Sequence, residues 1–204
     1  MALNTYAALQ AEIASWLHRD DLTSKIPTFI ALAESQLSTD LEARAMETRS
    51  NILASAGGEY VSCPGDMLEM RRLMVVETPI RKLRYVTPDQ LSSQYPLHTT
   101  AKPEVFTVIG NQFQLAPIPD VDYTLELTYV QKIPALSDSN TSNWLLTSFP
   151  NCYLYGALIQ AQPFIMNDDR MQTFYELYKQ GVNAVNQVDW YSGATMTIKT
   201  DVRA

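Results

Sequence analysis

Histidine and cysteine are nearly missing from this sequence: His18, His98, Cys63 and Cys152 supply all of either type in 204 residues. Imidazole and thiolate are the usual zinc ligands and partners of activated nucleophiles, so histidine-based metal sites and Ser–His or Cys–His catalysis are poorly supplied. The two cysteines lie far apart without CxxC spacing, which implies neither a zinc site nor a disulfide framework and reads as two reduced thiols. Charge is also scarce, at 18% against 46% hydrophobic residues. That balance leaves an unusually neutral surface, suited to lasting contacts with neighbours. Cations are the rarer sign, 15 against 22 acids for a net charge of −7, which argues against a chain that wraps nucleic acid. No basic segment followed by an apolar run opens the chain, so no signal peptide is read. The most apolar stretch, NWLLTSFPNCYLYGALIQAQPFI (Asn143 to Ile165), does not read as a bilayer span. Asn151, Gln160 and Gln162 interrupt it, and Gly156 and Pro163 weaken its helix.

What is present falls into blocks of different period. Residues 5 to 18 read as a first helix, capped by Asn4 or Thr5, with Leu9, Ile13, Trp16 and Leu17 as its apolar stripe. A second is expected from about Ser24, with Pro27 in its first turn and Ile26, Phe29, Ile30, Ala33, Leu37, Leu41 and Ala45 at helical spacing. From Asn51 onward, turn signals at Gly57-Gly58 and Pro64-Gly65-Asp66 separate short strand-like runs. VFTVIGNQFQLAP predicts a hairpin closed by Gly110-Asn111, and YTLELTYVQKI predicts a half-buried antiparallel strand. TPDQLSSQYP suits a short helix with Thr87 as cap and Pro88 first. Beyond the polar loop SDSNTSN, a third helix is expected with Ser148 as cap, Pro150 in the first turn and Pro163 bending or ending it. A fourth should start at Asp168 or Asp169 and run to about Gln187.

The fold expected is therefore α+β: an antiparallel helical bundle built from both chain ends, an inserted antiparallel β-rich module and an extended C-terminal tail. Its boundaries are placed at 1–49 and 135–189 for the bundle, 50–134 for the module and 190–204 for the tail. The third helix is apolar on nearly every side and so needs partners all round. That requirement suggests burial against neighbouring subunits.

Motifs for chemistry are sparse. His18-Arg19-Asp20 matches three letters of a kinase catalytic loop but lacks the downstream Asn, the glycine-rich loop and DFG, and reads instead as a helix C-terminus. HExxH, GxSxG and Walker patterns do not occur. Asp20-Asp21 and Asp168-Asp169 sit at helix ends, where capping accounts for them, and Cys152 reads as a small core residue. No catalytic residue, cofactor or metal is expected. A small hydrolase using Asp residues and His98 is the weakest alternative. One charge feature stands out: Arg71, Arg72, Arg81, Lys82 and Arg84 gather five of the fifteen cations within fourteen residues of the β module. They read either as a contact for a partner or DNA, or as solvent-facing positions of alternating strands.

TYAALQAEIASWLHRDDLTSKIPTFIALAESQL, YVSCPGDMLEMRRL and YTLELTYVQKIPALSDSNTSNWLLTSFPNCYLYGALIQAQPFIMNDDRMQTFYELYKQGVNAVN together resemble the adaptor, or head–tail connector, proteins of tailed bacteriophages, most closely those of short-tailed phages. The strongest marks are DLTSKIPTFIALAE and YGALIQAQPF…DDR, within a likeness spanning about residues 5 to 187. The resemblance implies a non-enzymatic virion protein of the neck or tail, made in the host cytoplasm. It would form a dodecameric ring beneath the portal, extend the DNA channel and offer a platform to the tail or nozzle. Genomic DNA would pass without specific binding, and no membrane is involved. The helical part would pack between neighbours and against the portal, with the β part facing outward or tailward. Residues 190 to 204, with Trp190, Tyr191, Met196, Ile198 and Val202, would be the portal-binding extension. A tail-completion or assembly protein contacting a different ring is the runner-up.

Overall fold

The computed structural model describes residues 3–97, 99–165 and 170–188. In chain order the elements are α1 (Tyr6–Leu17), α2 (Ile26–Asp40), β1 (Glu47–Ala54), β2 (Tyr60–Ser62), β3 (Met67–Val75), β4 (Arg81–Lys82) and β5 (Arg84–Tyr85). They continue with α3 (Pro88–Gln94), β6 (Val105–Ile109), β7 (Gln112–Ala116), β8 (Tyr123–Gln131), α4 (Trp144–Ser148), α5 (Pro150–Ile165) and α6 (Met171–Val188). These elements make an α+β chain of two compact units, one from Met1–Arg44 with Ile133–Ala204 and one from Ala45–Lys132.

In the first unit, α1, α2, α4 and α6 all pack on α5. Thr5 caps α1 by accepting the Ala8 N–H, and His18 closes it in a left-handed conformation (φ 50°). Leu9, Ile13 and Leu17 are buried, but Trp16 is 39% exposed. Rather than joining the core stripe, it rests edge-on against Tyr155 (ring centroids 6.1 Å) and tilted over Phe174 (6.0 Å). A 3₁₀ turn (Asp20–Lys25) precedes α2, and Pro27 lies in the first turn of α2. Contrary to the periodic pattern, α2 stops at Asp40 and Leu41 is extended. The physical reason is a capture from α6: Asn186 accepts the Glu42 N–H (3.0 Å) and donates to the Asp40 carbonyl (3.3 Å).

The expected third helix is two helices. Asn143 caps α4 by accepting the Leu146 N–H (2.8 Å), Ser148 ends that helix instead of starting one, and Phe149 leaves helical geometry before Pro150 opens α5. Proline disfavours helical backbone in the residue before it, which makes Phe149 the break. Pro163 does not end α5, which continues to Ile165. Along α5, Cys152, Tyr153, Leu154, Ala157, Leu158, Ile159, Ala161 and Gln162 are all buried. The chain itself covers the apolar helix on most sides, so its composition does not by itself require a neighbouring subunit.

A buried polar knot ties the returning chain to these helices. Glu34 of α2 accepts from the Leu136 N–H (2.8 Å) and the Tyr153 hydroxyl (3.2 Å), while Asn143 donates to Tyr153 (2.6 Å) and to the Pro134 carbonyl (2.8 Å). Burial pushes the Glu34 carboxyl above its usual range, against the pull of those two hydrogen bonds.

The second unit is a sandwich of two four-stranded sheets, ordered β1-β8-β3-β4 and β2-β7-β6-β5. β8 alternates as its sequence dictates, with Tyr123, Leu125, Leu127 and Tyr129 buried. They meet Val61, Phe106, Phe113 and Leu115 of the other sheet in one core. The β6–β7 hairpin turns at Gly110-Asn111, where only Gly110 has a positive φ (59°). The module is not wholly antiparallel, since β5 joins β6 in parallel over Arg84–Val105 and Tyr85–Phe106.

Candidate functional site

The cation-rich segment forms the ends of both sheets. β4 is the last strand of one sheet and β5 the last of the other, and Leu83 between them is buried with its N–H bonded to the Leu73 carbonyl (3.0 Å). Anchoring one apolar residue between two short strands forces Lys82 and Arg84 outward on either side of it. Arg71 and Arg72 arrive from β3, next to β4.

These four side chains surround one cleft of about 350 Å³, floored by Leu73, Leu83 and Phe106 and flanked by Met70 and Tyr85. Tyr85 is 53% exposed and lies edge-on to Phe106 (5.7 Å). Arg81, fifth in the sequence cluster, is not part of the cleft: its guanidinium reaches Glu104 at 3.1 Å. The cleft therefore combines cations with an apolar and aromatic lining, of which Tyr85 and Met70 reach the surface.

Its charge is unevenly compensated. Arg71 lies 3.1 Å from Glu69 and 3.9 Å from Glu47, and Arg72 shares Glu126 with Arg49 at 3.8 and 3.7 Å. Arg84 instead meets the neutral Gln94 side chain (3.3 Å), and Lys82 forms no ion pair among the described residues. The cations of the cleft without a carboxylate partner among the described residues are thus Lys82 and Arg84. The lining residues Met70, Tyr85 and Phe106 are not evident as site residues from sequence, though Tyr85 directly follows the cation run.

The other candidate residues separate. Trp190, Tyr191, Met196, Ile198 and Val202 lie outside the described residues, as do His98, Asp168 and Asp169. Asp21 pairs with Arg19 at 2.6 Å beside the end of α1, and this hydrogen-bonded pairing holds the Asp21 carboxyl below its usual range. Cys63 and Cys152 are both buried, and burial pushes the Cys152 thiol up to about 11. No group of three or more His, Cys, Asp or Glu among the described residues could hold a metal ion, and no described helix is long and apolar enough to cross a membrane.

The chain belongs to the SU10 adaptor protein family, whose pattern it matches over residues 4–198, a span that takes in the second unit and most of the first. It is accordingly a structural adaptor of the phage head–tail type. No curated protein matches the chain.

Proposed function

We propose that this adaptor assembles as a closed ring, a dodecamer, between the portal and the tail or nozzle of a short-tailed phage. There it extends the DNA channel and presents the platform on which the tail builds. The observation that carries this reading is the family match across residues 4–198. The net charge of −7 supports it, because an acidic lining lets DNA slide without long-lived phosphate contacts. Work of this kind is done by interface burial, with each protomer offering two different faces to its neighbours. The helical unit takes the portal side and the β unit faces outward or tailward. Residues 190 to 204 supply the portal-binding extension, with Trp190, Tyr191, Met196, Ile198 and Val202 as its apolar anchors.

Native mass spectrometry of the chain with and without portal tests the assembly. A closed ring bound to portal is expected. Removing residues 191–204 is expected to abolish portal binding while leaving the circular dichroism spectrum unchanged. A truncated chain that still assembles on portal would remove the extension from the mechanism, and a discrete ring of another virion protein as sole partner would favour a tail-completion role.

A further inference from the structure

We infer that the cleft between β3, β4 and β5 is an inter-subunit socket: it receives an acidic side chain from the helical unit of a second copy of this chain. The inference rests on the ring proposed above and adds the contact that orients neighbours within it. Two simpler explanations for the cleft are insufficient. Charged side chains commonly guard exposed sheet edges against pairing. That accounts for Lys82 and Arg84 on the terminal strands and for Arg71 and Arg72, where β3 runs past the end of β4 and has β8 alone beside it, but not for the exposed Tyr85 and half-buried Met70 set among them. Channel DNA is the second explanation, and the surroundings oppose it. The cations ring a concave apolar floor instead of a ridge that could follow a backbone, and Glu47, Glu69 and Glu126 lie among them. A polyanion would meet those carboxylates as well as the arginines.

A single carboxylate reaching in from a protein surface meets neither objection. It can pair with Arg84 and Lys82 at the uncompensated end while its apolar neighbours cover Tyr85 and Met70. A second copy has the complementary charge. Residues 1–44 and 133–204 carry twelve acidic against seven basic side chains, whereas 45–132 carry ten against eight. Acidic helical unit against basic cleft is a head-to-tail pairing of unlike faces, the type that propagates around a closed ring.

The test compares three full-length variants, Arg84→Glu, Lys82→Glu and Arg81→Glu, which change net charge equally. Self-association is measured by sedimentation velocity and native mass spectrometry, with and without portal. The two cleft variants are expected to weaken self-association about tenfold or more. Arg81→Glu, which alters a side chain outside the cleft, should assemble as wild type does. Wild-type association should also weaken between about 0.05 and about 0.5 M NaCl, where screening shortens. Equal weakening by all three variants would reduce the effect to net charge and overturn the socket, as would normal assembly of Arg84→Glu and Lys82→Glu. Binding of a short DNA duplex by wild type, lost in the cleft variants while their rings persist, would reassign the cleft to nucleic acid. A wild-type chain that stays monomeric alone and with portal overturns both this inference and the ring; a wild-type ring indifferent to the cleft overturns this inference alone.

Discussion

Gly181 shows how little room separates α5 from α6. A Cβ built there would lie 2.9 Å from the Cys152 sulfur and 2.9 Å from Asn151 Nδ2. The exposed Asn151 amide can swing aside, but the Cys152 thiol is fully buried. Gly181→Ala is therefore expected to destabilise the chain by about 1–3 kcal/mol despite alanine's better helix propensity. Urea denaturation measures this, and adding Cys152→Ala should recover part of the loss if the sulfur is the obstacle. Gly156→Ala should cost less, since its added carbon would sit 3.2 Å from the Ala33 methyl and 3.4 Å from the Tyr178 ring. The burial that crowds Cys152 also keeps its thiol protonated, so neither cysteine should react with iodoacetamide at pH 8 until denaturant is added, as read by intact mass. Glu34 gives a pH signature. Its folded-state pKa lies above the unfolded value, so its contribution is complete below the unfolded pKa and is lost as pH rises through the folded one. Wild type should thus lose stability relative to Glu34→Gln on moving from acid toward neutral pH, measured by the denaturation midpoint at each pH.

At the scale of elements, α3 offers a local test of a cap. Thr87 accepts the Gln90 N–H and Gln90 returns a side-chain bond to the Thr87 N–H, a reciprocal box on a helix of seven residues. Thr87→Ala should cost about 1 kcal/mol and speed amide exchange around the buried Leu91. This helix was legible in TPDQLSSQYP because capping is local chemistry. The Gly110-Asn111 hairpin and the alternation of β8 were legible for the same reason, each depending on a few adjacent residues. What the sequence concealed depends on distant partners. The end of α2 is set by Asn186, 146 residues from Asp40, and no periodicity in residues 24 to 45 signals it. The break at Phe149 was hidden by uniform apolarity, although Pro150 marked the place. For the cleft, charge density in residues 71 to 84 was visible, but the parting of Lys82 from Arg81 follows from Leu83 being buried next to them, and the arrival of Arg71 and Arg72 depends on the pairing of β3 with β4.

For the molecule as a whole, the sandwich has its own core, and residues 45–132 produced alone should keep a strand-type circular dichroism spectrum and unfold in one cooperative step. The absence of either would mean that its core depends on the rest of the chain. Within this unit, Glu47 at the start of β1 lies opposite Val130 near the end of β8 in an antiparallel pair. The chain thus enters and leaves the sandwich at one doorway, and a few residues could bridge it. A lineage of phages could in this way exchange the sandwich as a cassette, meeting a new tail without redesigning the helices, and a protein engineer could graft a foreign domain at the same two points.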